Sequence, residues 1–155
     1  MFRDGIARLL VFRVGPERFA VGLESVDEVV DAPAVQRMPD AAPTVLGIST
    51  IRGGLVTVYD PRPLLNVRGS VDGAALVFVR DGRRLAVAID DVFDAITVEE
   101  AELLPAPGGG GSGGGAGSSE GILMGVVRRG SELIAVLDAN ALLDAATVVG
   151  EGERT

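Results

Sequence analysis

Short apolar runs alternate with turn residues along most of the chain. Leu9–Val14 runs into Gly15-Pro16 and is followed by Arg18–Val21, and Ala75–Arg80 runs into Asp81-Gly82 and is followed by Arg83–Ile89. Leu46–Arg52 and Leu55–Tyr59 flank Gly53-Gly54, and Ile122–Arg128 and Glu132–Leu137 flank Gly130. Asp-Gly between two apolar runs predicts a tight hairpin, because a type I′ turn needs two residues at positive φ. Hairpins at this spacing predict an all-β barrel or sandwich. Two short helices are expected. One covers Leu23–Val30, with Glu24 and Ser25 near its start. The other covers Ala139–Ala145, with Asp138 as its N-cap.

The pattern also repeats within the chain. A shift of 66 positions places Leu10, Val11, Phe12, Arg18, Ala20, Val21, Val26 and Pro39 on Leu76, Val77, Phe78, Arg84, Ala86, Val87, Val92 and Pro105. Chance predicts about two such identities over that stretch. A shift of 78 places Gly47, Leu55, Val58, Asp60, Leu64 and Leu65 on Gly125, Leu133, Val136, Asp138, Leu142 and Leu143. Matched Gly, Pro and Asp positions carry the most weight, since they mark turns rather than strands. The two shifts differ by 12, the length of the Gly/Ser-rich tract 108–119. The reading is one domain over 8–146 built of two similar units, 9–65 and 75–143, with the tract inserted in the second. Eight glycines, three serines and one alanine cannot bury apolar surface, so 108–119 is expected to be a flexible loop and 147–155 a disordered tail. The tract has neither the Lys nor the following helix of a phosphate-binding loop.

Composition narrows the chemistry. The 155 residues carry 47% hydrophobic but only 4% aromatic side chains, so the core must come from Val, Leu, Ile and Ala. A net charge of −8 disfavours nucleic acid as a partner. The absence of Cys, His and Lys removes disulfides, thiol chemistry and the usual general bases and metal ligands. Ser49, Ser25 and Asp60 therefore lack a base that would make them a hydrolytic set. Asp90 and Asp91 are adjacent, point to opposite faces in a strand and cannot share a metal; Glu99, Glu100 and Glu102 read as a solvated connector. Neither a cofactor nor a metal is expected. Met1–Arg8 carries Arg3, Asp4 and Arg8 and has no apolar leader run, and no apolar run approaches the roughly 18 residues needed to span a bilayer. A cytoplasmic protein without direct membrane insertion is the expectation.

The stretch Val45–Leu65, VLGISTIRGGLVTVYDPRPLL, resembles the central signature of CheW-like domains, V-x-G-x-x-x-x-R-G-x-x-φ-x-V-x-D-φ-R with φ apolar. Upstream, LLVFRVGPERFAVGLESVDEVVDAPAVQRMPDAAPTV is similar to the family's opening hairpin, helix and proline-bounded loop. Downstream, RRLAVAIDDVFDAITVEEAELLPAP and ELIAVLDANALL are similar to its second hairpin, connector and closing strand and helix. The resemblance runs from Leu9 to Leu143. It implies a mainly β fold of two intertwined five-stranded SH3-like barrel lobes with a few short helices. It also implies a non-catalytic adaptor coupling the regulatory domain of a CheA-type histidine kinase to the cytoplasmic tip of a methyl-accepting chemoreceptor. The alternatives are a CheW-like module of a gliding, pili or developmental pathway without a CheA partner, and a small β-barrel enzyme or ligand carrier.

By the same resemblance, the receptor- and kinase-binding candidates are Arg52 of the R-G turn, Glu28 and Val26 on and after the first helix, Gly47 opening the signature strand, and Asp60 and Arg62 of its D-φ-R ending. Thr50 stands where the family has Asn, and Pro61 stands in the φ position, where it is expected to loosen the short helix. One feature of Arg52 is independent of the resemblance. Its repeat counterpart is Gly130, so the fold does not itself demand a side chain there. Val26 and Val29 are expected to face the core, leaving Glu28 as the exposed contact.

Overall fold

A computed structural model describes residues 1–106 and 121–152, with side chains through Thr147. The tract 108–119 and the last three residues of the expected tail lie outside the described residues. The strands are β1 (Ile6–Val14), β2 (Glu17–Gly22), β3 (Glu28–Asp31), β4 (Gln36–Arg37), β5 (Val45–Ile51), β6 (Gly54–Tyr59), β7 (Ala74–Arg80), β8 (Arg83–Ile89), β9 (Asp91–Glu99), β10 (Leu123–Arg129) and β11 (Glu132–Leu137). Helix α1 spans Arg62–Leu65 and α2 spans Ala139–Gly152. They form two sheets, in the orders β10-β11-β2-β1-β9 and β3-β7-β8-β6-β5-β4. The first has the five strands expected. The second has six, because the short β4 adds to its edge, and neither strand order closes on itself as a complete barrel would.

Each sheet takes strands from both halves of the chain. Strand β2 runs parallel to β11 with Ala20 opposite Val136, and β8 runs parallel to β6 with Ala86 opposite Val58. The two shifts seen in the sequence carry one joint onto the other. The irregularities match as well: β5 slips register between Val45 and Gly47, and β10 slips between Leu123 and Gly125. Two-residue hairpin turns form at Gly15-Pro16 and Asp81-Gly82 as expected, with Asp81 at φ 53° and Gly82 at φ 76°.

This exchange of strands explains why β1 reads as an unbroken apolar run. A strand covered on one face only alternates, whereas one covered on both faces does not. Leu9 and Val11 point to a core shared with Ala20, Val98, Val127, Ile134 and Val136. Leu10, Phe12 and Val14 point the other way, into a larger core with Phe19, Val21, Leu76 and Phe78. Leu64 of α1 and Leu142 of α2, also paired by the repeat, enter this same core. The larger core is therefore common to the two sheets and fixes one against the other.

Three local expectations are corrected. Leu23–Val30 is not a helix: a 3-10 turn covers Leu23–Ser25, and Glu28 opens strand β3, which pairs antiparallel with β7. The free edge of β7 needs backbone partners, and that demand outweighs the helical spacing of Val26, Val29 and Val30. Pro61 does not loosen α1. It caps the helix, with the amides of Leu64 and Leu65 donating to its carbonyl, and proline is tolerated at a helix start where its missing N–H is not needed. Helix α2 continues past Ala145 to Gly152, into the segment expected as a tail.

Candidate functional site

The β5–β6 hairpin turns on Arg52-Gly53, not on Gly53-Gly54, since Ile51 pairs with Gly54. Arg52 accordingly sits at φ 51° and Gly53 at φ 79°. A left-handed conformation costs a residue with a Cβ about 1–2 kcal/mol. The matched position in the other sheet is Gly130 at φ 62°, where no such penalty applies. Glycine would serve the turn better, so the turn itself does not demand an arginine there.

That side chain is 66% exposed and reaches the edge strand β3, where Nε donates to Glu28 Oε1 at 2.7 Å. Strand β3 and the β5–β6 turn are well separated in the strand order, so this contact shows how strongly the second sheet curls. Arg84 on β8 approaches the same Glu28 oxygen at 3.3 Å and Asp27 Oδ2 at 3.6 Å. Glu28 thus lies between two guanidinium groups and is only 19% exposed, so Arg52 rather than Glu28 is the freely presented group. The Nε of Arg52 is engaged by Glu28, while most of the side chain stays exposed.

The hydrogen bond from Arg52 holds the Glu28 carboxyl below its ordinary 4.5, and Arg52 is raised by the same contact. A depressed carboxyl keeps its pairing at neutral pH and loses it as pH falls through the lowered value. The Glu28 side-chain carbon followed by NMR should titrate with a midpoint under 4.5, and Arg52→Ala should move that midpoint up. Equal midpoints in the two proteins would contradict the pairing.

The remaining candidates lie elsewhere. Val26 follows the 3-10 turn and is partly buried against the large core, as expected, but Val29 is exposed. Asp60 and Arg62 are at the far end of the β5–β6 hairpin, roughly 17 Å from Arg52 by strand rise. Their polar atoms are taken up locally. Asp60 Oδ1 accepts from the Arg62 amide at 3.0 Å and from Nε at 2.9 Å, Oδ2 accepts from Nη2 at 2.8 Å, and Nη1 donates to the Gly69 carbonyl at 2.6 Å. Asp60, just ahead of the cap Pro61, accepts the first amide of α1 from Arg62, and Asp138 accepts the Ala141 amide at the start of α2. Gly47 is where strand β4 crosses closely, since a methyl there would lie 2.2 Å from the Gln36 carbonyl oxygen.

Sequence reasoning did not single out Arg84, although the Arg83-Arg84 pair after a tight turn places one guanidinium on each face of a strand. It also passed over Leu55 and Leu133, which are 77% and 60% exposed at positions matched by the repeat. Among the described residues no group of His, Cys, Asp or Glu could hold a metal ion, and no helix is long and apolar enough to cross a membrane.

These features can be set beside known proteins. The profile of the family described as the CheW-like domain matches residues 8–147. The chain is 26% identical over 140 residues to a chemotaxis protein CheW of Bacillus subtilis, covering 88% of this chain and 86% of that one. It is 28% identical over 107 residues to a chemotaxis protein CheW of Rhizobium meliloti, covering 67% and 69%. The fold matches that of a scaffolding protein, TtCheW, from Thermoanaerobacter tengcongensis with a TM-score of 0.68 at 20% identity, over 84% of this chain and 88% of that one. With a family profile spanning nearly the whole chain and the two-sheet fold behind it, this protein belongs to the CheW-like domain family.

Proposed function

We propose that this chain is a non-catalytic adaptor that couples a CheA-type histidine kinase to the cytoplasmic tips of chemoreceptors. Its relatives are named chemotaxis proteins, and its structural neighbour is named a scaffolding protein. The chain has no Cys, His or Lys with which to run chemistry. The common core of the two sheets gives it the rigidity that a scaffold needs. A receptor can alter the bound kinase only by changing contact free energies between states, and a stiff intermediary transmits such changes without absorbing them.

Arg52 carries this reading. A strained, largely exposed arginine at the rim of the second sheet, held by Glu28, which Arg84 also approaches, has the features of an interface hot spot. We assign it to the receptor. Leu55 and Leu133 present matched apolar side chains on the two lobes, and we assign the face carrying Leu133 to the kinase. The adaptor itself would then reside in the cytoplasm, held at membrane-anchored arrays through protein contacts.

The test uses calorimetric titration with a receptor tip fragment and, separately, with a kinase regulatory domain. Arg52→Glu should keep its circular dichroism spectrum and lose about 1–3 kcal/mol of receptor affinity, the usual hot-spot range. Leu133→Asp should weaken the kinase and spare the receptor. Unchanged receptor affinity in the folded Arg52→Glu protein would remove the assignment.

A further inference from the structure

Arg84 enters the Arg52–Glu28 contact from a third element. Its Nη1 lies 3.3 Å from Glu28 Oε1, the oxygen that also accepts from Arg52 Nε, and its Nη2 lies 3.6 Å from Asp27 Oδ2. The register puts Arg84 and Glu28 on one face of the second sheet. Glu28 is opposite Val77, Val77 is opposite Ala86, and Arg84 is two residues from Ala86 on β8. The three elements are not held equally firmly. Arg52 is at a hairpin tip and β3 is an edge strand, whereas β8 is paired on both sides, with β7 and with β6. Arg84 is therefore the anchored member of the cluster.

The first lobe lacks this arrangement at the matched positions. The two repeat shifts pair Arg84 with Arg18, Asp27 with Phe93, Glu28 with Asp94 and Arg52 with Gly130. Arg18 lies over the Phe93 ring at 4.2 Å and pairs with Glu132. Asp94 is exposed and, among the described residues, makes no ion pair. The strand arginine is thus common to both lobes. Only in the second lobe does it meet carboxylates, and only there does a hairpin arginine lean on the same carboxylate from the other side. A side chain locked by a second partner presents its group in one pose, which lowers the cost of ordering it on binding.

We infer that Arg84 is a positioning residue: it fixes the Glu28 carboxylate and, through it, the Arg52 guanidinium that meets the receptor, without touching the receptor itself. This rests on the assignment of Arg52 to the receptor.

The test compares Arg84→Gln, Arg52→Ala, the double variant and Arg18→Gln, all in the full chain. Each is titrated calorimetrically with a receptor tip fragment, and the free proteins are followed by side-chain NMR. Arg84→Gln should move the Glu28 midpoint up, because a neighbouring positive charge is lost, and should shift the Arg52 Nε–H resonance. It should weaken receptor binding about two- to fivefold, the scale of an exposed charge pair. In the Arg52→Ala background it should cost no further affinity. Arg18→Gln removes the matched arginine of the first lobe and should leave all three readings unchanged, which separates positioning from a general loss of stability. Should Arg84→Gln not fold, Arg84→Met serves in its place. A Glu28 midpoint and an Arg52 resonance unmoved by the Arg84 variant would overturn the proposal. Additive losses in the double variant would make Arg84 a direct receptor contact and overturn it equally, as would an Arg18→Gln effect of the same size. If Arg52→Ala loses no receptor affinity, the receptor assignment falls by itself, and the two NMR readings in the free protein decide whether Arg84 positions Arg52.

Discussion

Phe12→Ala should lower folding stability by about 3–5 kcal/mol, the range for removing a fully buried aromatic ring. Phe12 is 1% exposed, lies 6.0 Å from the Phe19 ring and belongs to the core shared by the two sheets. Phe78, its repeat counterpart, is equally buried in the same core, and Phe78→Ala should cost a similar amount. Domains of this size are stable by only about 5–15 kcal/mol, so either variant forfeits a large share of the total. Because the core is common, the loss should act on both sheets at once. Urea unfolding of Phe12→Ala, followed by circular dichroism, should remain a single transition moved to lower denaturant with an unchanged slope. A two-step curve would mean that the sheets fold separately, and a loss under about 1 kcal/mol would mean that the ring is not the anchor its burial implies.

Gly47→Ala should destabilise the protein by about 2–3 kcal/mol, an overpacking cost with little room for relief. The added methyl would lie 2.2 Å from the Gln36 carbonyl oxygen and 2.8 Å from Val35 Cγ1. The first of these is backbone, so β4 must shift and its pairing of Gln36 with Ile48 is lost. At Gly125, the repeat counterpart, a methyl would meet the Leu104 carbonyl oxygen at 2.5 Å, which marks the same crossing in the other sheet. Gly130→Ala is the control. A methyl there meets nothing within 4 Å, and only the positive φ of 62° is penalised, by about 1–2 kcal/mol. Thermal unfolding should rank Gly47→Ala below Gly130→Ala and both below the parent. If Gly47→Ala instead kept its stability and lost partner affinity, Gly47 would be a contact residue rather than a crossing point.

The turns were legible in the sequence because their chemistry is local. Asp81-Gly82 has the residues that a type I′ turn selects, and the structure has the turn there. The repeat was legible for the same reason, since Gly47 and Gly125, or Asp60 and Asp138, mark geometry that the chain must satisfy twice. The β5–β6 turn was placed one residue late, and the reason is specific. Turning on Arg52-Gly53 or on Gly53-Gly54 leaves Ile51, Val56 and Val58 on one face, because the two registers differ by two residues. Alternation cannot separate them. The strand β3 was read as helix because Val26, Val29 and Val30 have helical spacing, while the strand edge that captures this segment lies in β7, far along the chain.

The candidate site was legible in part. Arg52 could be singled out because its counterpart is glycine, and the positive φ at that position sharpens the argument. Glu28 was read as the exposed contact, yet it is the half-hidden partner that holds Arg52. Asp60 and Arg62 form a spent ion pair at the other end of the hairpin.

The amino-acid sequence alone determined the mainly β class, the hairpins, the repeated pattern of turn residues and the exclusion of thiol and histidine chemistry, since each follows from residue type and spacing. Only the tertiary structure decided which hairpins share a sheet and which charges meet. Strand pairing between distant segments is chosen by burying both faces of β1 and β7 at once. The curl that results brings Arg52, Glu28 and Arg84 together from three separate parts of the chain.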